Sequence, residues 1–154
     1  MKKRALLSLA VLCVVTGCSF KSPAENIDFK PPTGWNSTPS IMGFQMWVSP
    51  KKDEMLMLMN RTGKLSQTFD LKTIPGNTYS EVTMSKEIRI CSNQPARLVV
   101  ASGKSKEGKA ETTQMVLTTY ANDNNYMAMY ARPTSSAPDP QAEAAIRMLC
   151  LKNQ

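Results

Sequence analysis

Histidine is absent from this 154-residue sequence. Without an imidazole, Ser-His-Asp and Cys-His catalysis and His-ligated metal chemistry are all excluded. Carboxylates are thinly spread as well. Of the twelve, only Asp53 and Glu54 are adjacent, and they sit beside Lys51 and Lys52 in turn-forming sequence. Ser49-Pro50-Lys51-Lys52 matches the S-x-x-K spacing of penicillin-binding enzymes, but no K-T-G accompanies it and it precedes a strand pattern rather than opening a helix. The residues read as a polar hairpin tip. A membrane-crossing run is also missing: Ala5 to Val15 is apolar over 11 residues, whereas a helix needs about 20 to cross a bilayer core.

That short run has another use. Lys2, Lys3 and Arg4 precede it and the small residues Thr16 and Gly17 follow, the pattern of a cleaved secretory signal. The segment Val15-Thr16-Gly17-Cys18 resembles the lipobox of bacterial lipoproteins. By that resemblance Cys18 becomes the first mature residue, carries a diacylglycerol thioether and is then N-acylated. Two or more acyl chains make a stable anchor where one holds only marginally. Ser19, rather than Asp, follows the cysteine, and the resemblance then implies the outer membrane, facing the periplasm. The expected organisation is a signal over 1–17, a lipidated tether over 18–28 and one domain over 29–154.

Cleavage after Gly17 leaves 137 residues, enough for one ordinary domain. Lys2, Lys3 and Arg4 supply three of the formal charge of +7, so the mature chain carries +4. That balance is too mild for a nucleic-acid binder. Of four cysteines, Cys13 leaves with the signal and Cys18 is spent on lipid, so Cys91 and Cys150 remain. In an oxidising compartment an even remainder reads as one disulfide, with two separately buried thiols as the alternative. Two cysteines without histidine are too few soft ligands for zinc. No cofactor is expected.

The mature chain alternates strand patterns with turn chemistry. Strands are expected over 42–48 and 55–60 around the 49–53 turn, then over 81–90, 96–102, 112–120 and 126–132. Pro31-Pro32-Thr33-Gly34-Trp35 reads as an extended entry and turn before an aromatic anchor. Leu65 and Phe69, spaced i, i+4, predict a short helix over 65–72. Asp139-Pro140 supplies an N-cap and a proline at the first helical position. Ala142, Ala145, Ile146 and Leu149 then recur at i, i+3, i+4, i+7, giving a terminal helix one apolar face. This element order, with phrases such as PPTGW and AEAAIRMLC, resembles the PsbP/DcrB-type sandwich. The resemblance implies an α+β fold with helices packed on an antiparallel sheet, and a non-enzymatic protein that engages other proteins.

Methionine is the one unusual abundance, with ten after Cys18. Met55, Met57 and Met59 alternate along one predicted strand, and Met127 and Met129 along another, so each set shares a face. Thioethers fill irregular cores, remould around varied partners and bind Cu(I). Core packing is the expectation, with a partner or ligand surface as the alternative. Lys104, Lys106 and Lys109 form a basic stretch that reads as a solvated hairpin end, with anionic headgroups as the other reading. The expected function is a membrane-anchored, non-catalytic envelope module that binds another envelope or exported protein. The alternatives are an inhibitor or immunity-type lipoprotein, and a carrier of an apolar ligand or Cu(I). Replacing Cys18 by Ser is expected to leave the protein unacylated and to move it from the membrane to the soluble fraction, read by fractionation and intact mass; wild-type retention would contradict the lipid anchor.

Overall fold

A computed structural model of the chain describes residues 26–39, 44–62, 77–105, 111–121 and 124–152. Cys18 and the helix expected over 65–72 lie outside the described residues. The elements are β1 (Ile27–Asp28), β2 (Asn36–Ser37), β3 (Phe44–Val48), β4 (Met55–Thr62), β5 (Asn77–Ile90), β6 (Gln94–Ser105), β7 (Thr112–Ala121), β8 (Asn124–Pro133), α1 (Pro140–Arg147) and β9 (Cys150–Leu151). Seven strands form one sheet in the order β2-β3-β4-β8-β7-β6-β5, and β1 pairs with β9 in a second, two-stranded sheet. Every pairing is antiparallel. The fold is thus mostly antiparallel sheet with one C-terminal helix among the described residues, more sheet-rich than an even α+β mixture.

Register sorts the large sheet into two apolar faces, because residues opposite one another share a side. One face carries the row Trp47, Leu56, Tyr130, Met115, Val100 and the row Leu58, Ala128, Leu117, Leu98. Leu56, Leu58, Leu98 and Leu117 are fully buried there, each contributing about 2 kcal/mol by removal from water. Helix α1 lays Ala142, Ala145 and Ile146 on this face, and Leu149 just beyond it joins the same cluster. The helix starts where the sequence indicates: the Asp139 carboxylate accepts from the Gln141 N–H at 2.8 Å, and Pro140 stands in the first turn.

The opposite face carries Met46, Met57, Met129, Val116 and Val99 in one row. β4 therefore explains its own Met-Leu alternation: leucines point to the helix side and methionines to the other. Both edges of the sheet are blunted. β2 is two residues long, and β5 carries register slips between Tyr79 and Glu81 and between Val82 and Met84, with Glu81, Lys86, Glu87 and Arg89 exposed along it. Bulges and charges of this kind discourage edge-to-edge pairing.

Three differences from the sequence expectation have clear causes. Strand β5 begins at Asn77 and β6 runs to Ser105, because long-range pairing continues where the local alternation fades. The short strands β1, β2 and β9 carry too few residues for any periodicity. The expected boundary between tether and domain at Phe29 also falls too late. Ile27 is 2 % exposed and pairs with Leu151, so the fold starts no later than β1.

Cys91 and Cys150 are joined, with Cα atoms 5.8 Å apart across 59 positions of sequence. Cys91 sits at φ +53° in the three-residue turn between β5 and β6, a left-handed geometry that L-residues adopt at some cost. Closing a loop of this length restricts the unfolded chain and stabilises by about 4 kcal/mol in the chain-entropy model. Replacing both cysteines by Ala is expected to lower the unfolding free energy by about 2–5 kcal/mol, measured by urea denaturation; an unchanged midpoint would remove the bridge from the stability account.

Candidate functional site

Two places gather the residues singled out in the sequence. The first is the methionine face. Strand register sets Met57 opposite Met129 and Met59 opposite Met127, with Met55 opposite Ala131. All five expected methionines therefore share one side of the sheet, and Met46 of β3, opposite Met57, joins them. Met127 and Met129 are each 3 % exposed, while Met55, Met57 and Met59 are half-buried. The hydrophobic cluster on this face combines them with Val99, Ala101 and Val116 and draws, among the described residues, only on the sheet itself. Two amides on this side, Gln114 and Asn125, are buried with Oε1 and Nδ2 respectively lacking a hydrogen-bond partner.

The second is the end of the sheet where β5 turns into β6. Gln94, 7 % exposed, spends its whole amide there. Its Nε2 donates to the Leu149 carbonyl and to the Thr119 hydroxyl, both at 3.0 Å, and its Oε1 accepts from the Leu151 N–H at 3.0 Å. The Thr119 hydroxyl in turn donates to the Pro95 carbonyl at 2.8 Å. Two of these bonds, to Leu149 and Leu151, hold the chain at β9 against the start of β6 beside the Cys91–Cys150 bridge, and the third joins β6 to β7. Sequence reading missed Gln94, and only its place just after a cysteine turn distinguishes it from any surface glutamine.

Pairing of β9 with β1 then fixes the chain's entry. Ile27 opposes Leu151, Asp28 opposes Cys150, and the Lys152 N–H donates to the Asn26 carbonyl at 3.0 Å. A groove of about 320 Å³ runs beside this pairing, lined by Asp28, Lys30, Pro32, Gln141, Ala144 and Met148 among others. Met148 caps α1 and is 57 % exposed.

The ionisable residues of the β3–β4 turn, of the start of α1 and of the 133–136 connection serve structure. Ser49 Oγ donates to Asp53 at 3.1 Å and accepts the Glu54 N–H at 3.2 Å, which closes the turn between β3 and β4. The S-x-x-K match is therefore a turn, as its position before a strand implies. From that turn Glu54 accepts the Tyr130 hydroxyl, whose oxygen accepts the Asp139 N–H at 2.9 Å. A single phenol thus ties the β3–β4 turn to the start of α1. Burial pushes Tyr130 up to about 12, further than the Asp139 contact lowers it. Arg132 closes the 133–136 connection by donating to the carbonyls of Pro133, Thr134 and Ser136. No group of three or more Cys, Asp or Glu suited to a metal ion occurs among the described residues, and no described helix is long and apolar enough to cross a membrane.

No family model matches the chain, and no curated protein does. A solved structure of a protein from Bacteroides thetaiotaomicron VPI-5482, determined at 1.50 Å, is similar with a TM-score of 0.53 and 16 % identity. The match covers 88 % of this chain and 48 % of that one, so the chain spans about half the length of that neighbour. At this identity the likeness carries the fold alone.

Glu54 gives the site a pH signature. Burial raises its pKa above the ordinary 4.5, outweighing the Tyr130 hydrogen bond, and the Asp53 and Asp139 charges push the same way. The folded state therefore prefers the protonated acid; that preference is fully present below the unfolded value and is lost as pH rises through the folded one. Glu54→Gln is expected to lack this component. Urea unfolding at a series of pH values should show the variant gaining on wild type as pH rises from 4 to 7, and a constant difference would contradict the assignment.

Proposed function

We propose that the protein is a lipid-anchored, non-catalytic module of the cell envelope, with Cys18 as its acylated anchor and another envelope or exported protein as its partner. The observation that carries this reading is the lipobox Val15-Thr16-Gly17-Cys18, followed within nine residues by a buried strand residue, Ile27. A tether that short keeps a folded body at the bilayer surface. Ser19 favours the outer membrane, facing the periplasm, by the same family resemblance. The PsbP/DcrB-type resemblance belongs with this reading, because those sandwiches engage proteins rather than transform substrates. The use of Glu54, Tyr130 and Asp139 to seat the terminal helix agrees with it.

A second reading has one observation behind it. Six methionines in adjacent register positions, with two unpaired buried amides on the same side, resemble the lining of a site for an apolar ligand or Cu(I). An inhibitor or immunity-type role differs from the main proposal only in the partner. The mature charge of +4 disfavours a basic target, since like charges repel on approach. Crosslinking in intact cells, followed by mass spectrometry of the extracted protein, separates the readings. A discrete protein adduct is the expected product; a stoichiometric small ligand or copper with no protein adduct would favour carriage and overturn the scaffold reading.

A further inference from the structure

We propose that the end of the sheet carrying Asn26, Cys91, Met148 and Lys152 is a bilayer-facing surface, with Met148 in the headgroup layer of an anionic membrane. The inference rests on the lipid anchor at Cys18. Asn26 lies eight positions after Cys18, so the chain between them reaches at most about 28 Å. The chain enters the fold at this one end. Asn26 is hydrogen-bonded to Lys152, β1 is paired with β9, and β9 is held by Gln94 and the disulfide. The anchor's pull therefore reaches the domain here, through backbone pairing and a covalent bridge.

Side chains at this end suit the neighbour it is given. Met148 is among the most exposed large apolar side chains of the described residues, at 57 %. It lines the groove that also contains Lys30. Arg147 and Lys152 are exposed on either side of it in sequence, and Arg89, exposed in β5, donates to the Asn93 carbonyl of the adjoining turn. Lys30, Arg89, Arg147 and Lys152 give this end exposed basic residues alongside Asp28, and basic residues close to anionic lipid are attracted to it. An exposed apolar side chain in a basic neighbourhood is the pattern of interfacial contact.

The other candidate for lipid contact, the stretch around Lys104, is at the wrong end. Lys104 lies ten residues along β6 from Gln94, about 30 Å away at strand spacing. Holding that end on the bilayer would require the tether to stay almost fully stretched.

The test uses the mature protein extracted from membranes and returned to vesicles of phosphatidylethanolamine and phosphatidylglycerol. Single variants Met148→Cys, Val82→Cys and Lys104→Cys carry a fluorophore, and a water-soluble quencher reports access. Quenching at position 148 is expected to fall at least fivefold on vesicle binding, with positions 82 and 104 unchanged. Shielding at 148 should weaken twofold or more in phosphatidylcholine vesicles, and equal shielding there would overturn the role of charge. Equal quenching at 148 and 104 on bound protein would overturn the orientation and leave the anchor intact. If intact mass of the extracted wild-type protein shows no acyl chains on Cys18, the anchor reading itself fails and this surface, which rests on it, falls with it.

Discussion

The fold depends on how its last dozen residues are fastened. Helix α1 has only eight residues, too short to be stable alone in water. It persists because both of its ends are tied to the sheet. At its start, the Asp139 N–H meets the Tyr130 hydroxyl, which in turn reaches Glu54. Beyond its end, Cys150 is covalently joined to Cys91 and the backbone around it is held by Gln94. Between these ties, Ala142, Ala145 and Ile146 bury the apolar stripe. Packing provides the energy, and the ties remove the alternatives.

The same fastening transmits force and position. β9 exists only as the partner of β1 and the neighbour of Gln94, so the C-terminal element and the first described strand form one unit. Under the proposed lipid anchor, the domain would be loaded at that unit. Antiparallel pairing alone over two residues is marginal; the bridge and the buried amide make it a firm attachment.

The two-sided sheet separates packing from opportunity. Leucine and tyrosine fill the helix side, where fixed rotamers and a rigid partner favour well-defined shapes. Met46, Met55, Met57, Met59, Met127 and Met129 fill the other side, where a flexible thioether adapts to irregular neighbours. Gln114 and Asn125 leave polar atoms unpaired on that side, and such atoms are costly unless something meets them. This is the chemical basis for the carrier reading, whereas the scaffold reading depends on the anchor.

By itself the sequence determined the pair Cys91 and Cys150, the capped terminal helix and the run of hairpins, because each is a local pattern of a few residues. Asp139-Pro140 is a start signal wherever it stands, and Met-Leu-Met-Leu-Met shares out its faces as soon as it is extended. Only tertiary structure decided the rest. The entry strand at Ile27, the extension of β5 back to Asn77, the gathering of Met46 with Met57 and Met129, and the clamp at Gln94 all join residues far apart in the chain. Such contacts follow from register and closure, which depend on the whole sheet, and no short window of sequence contains them.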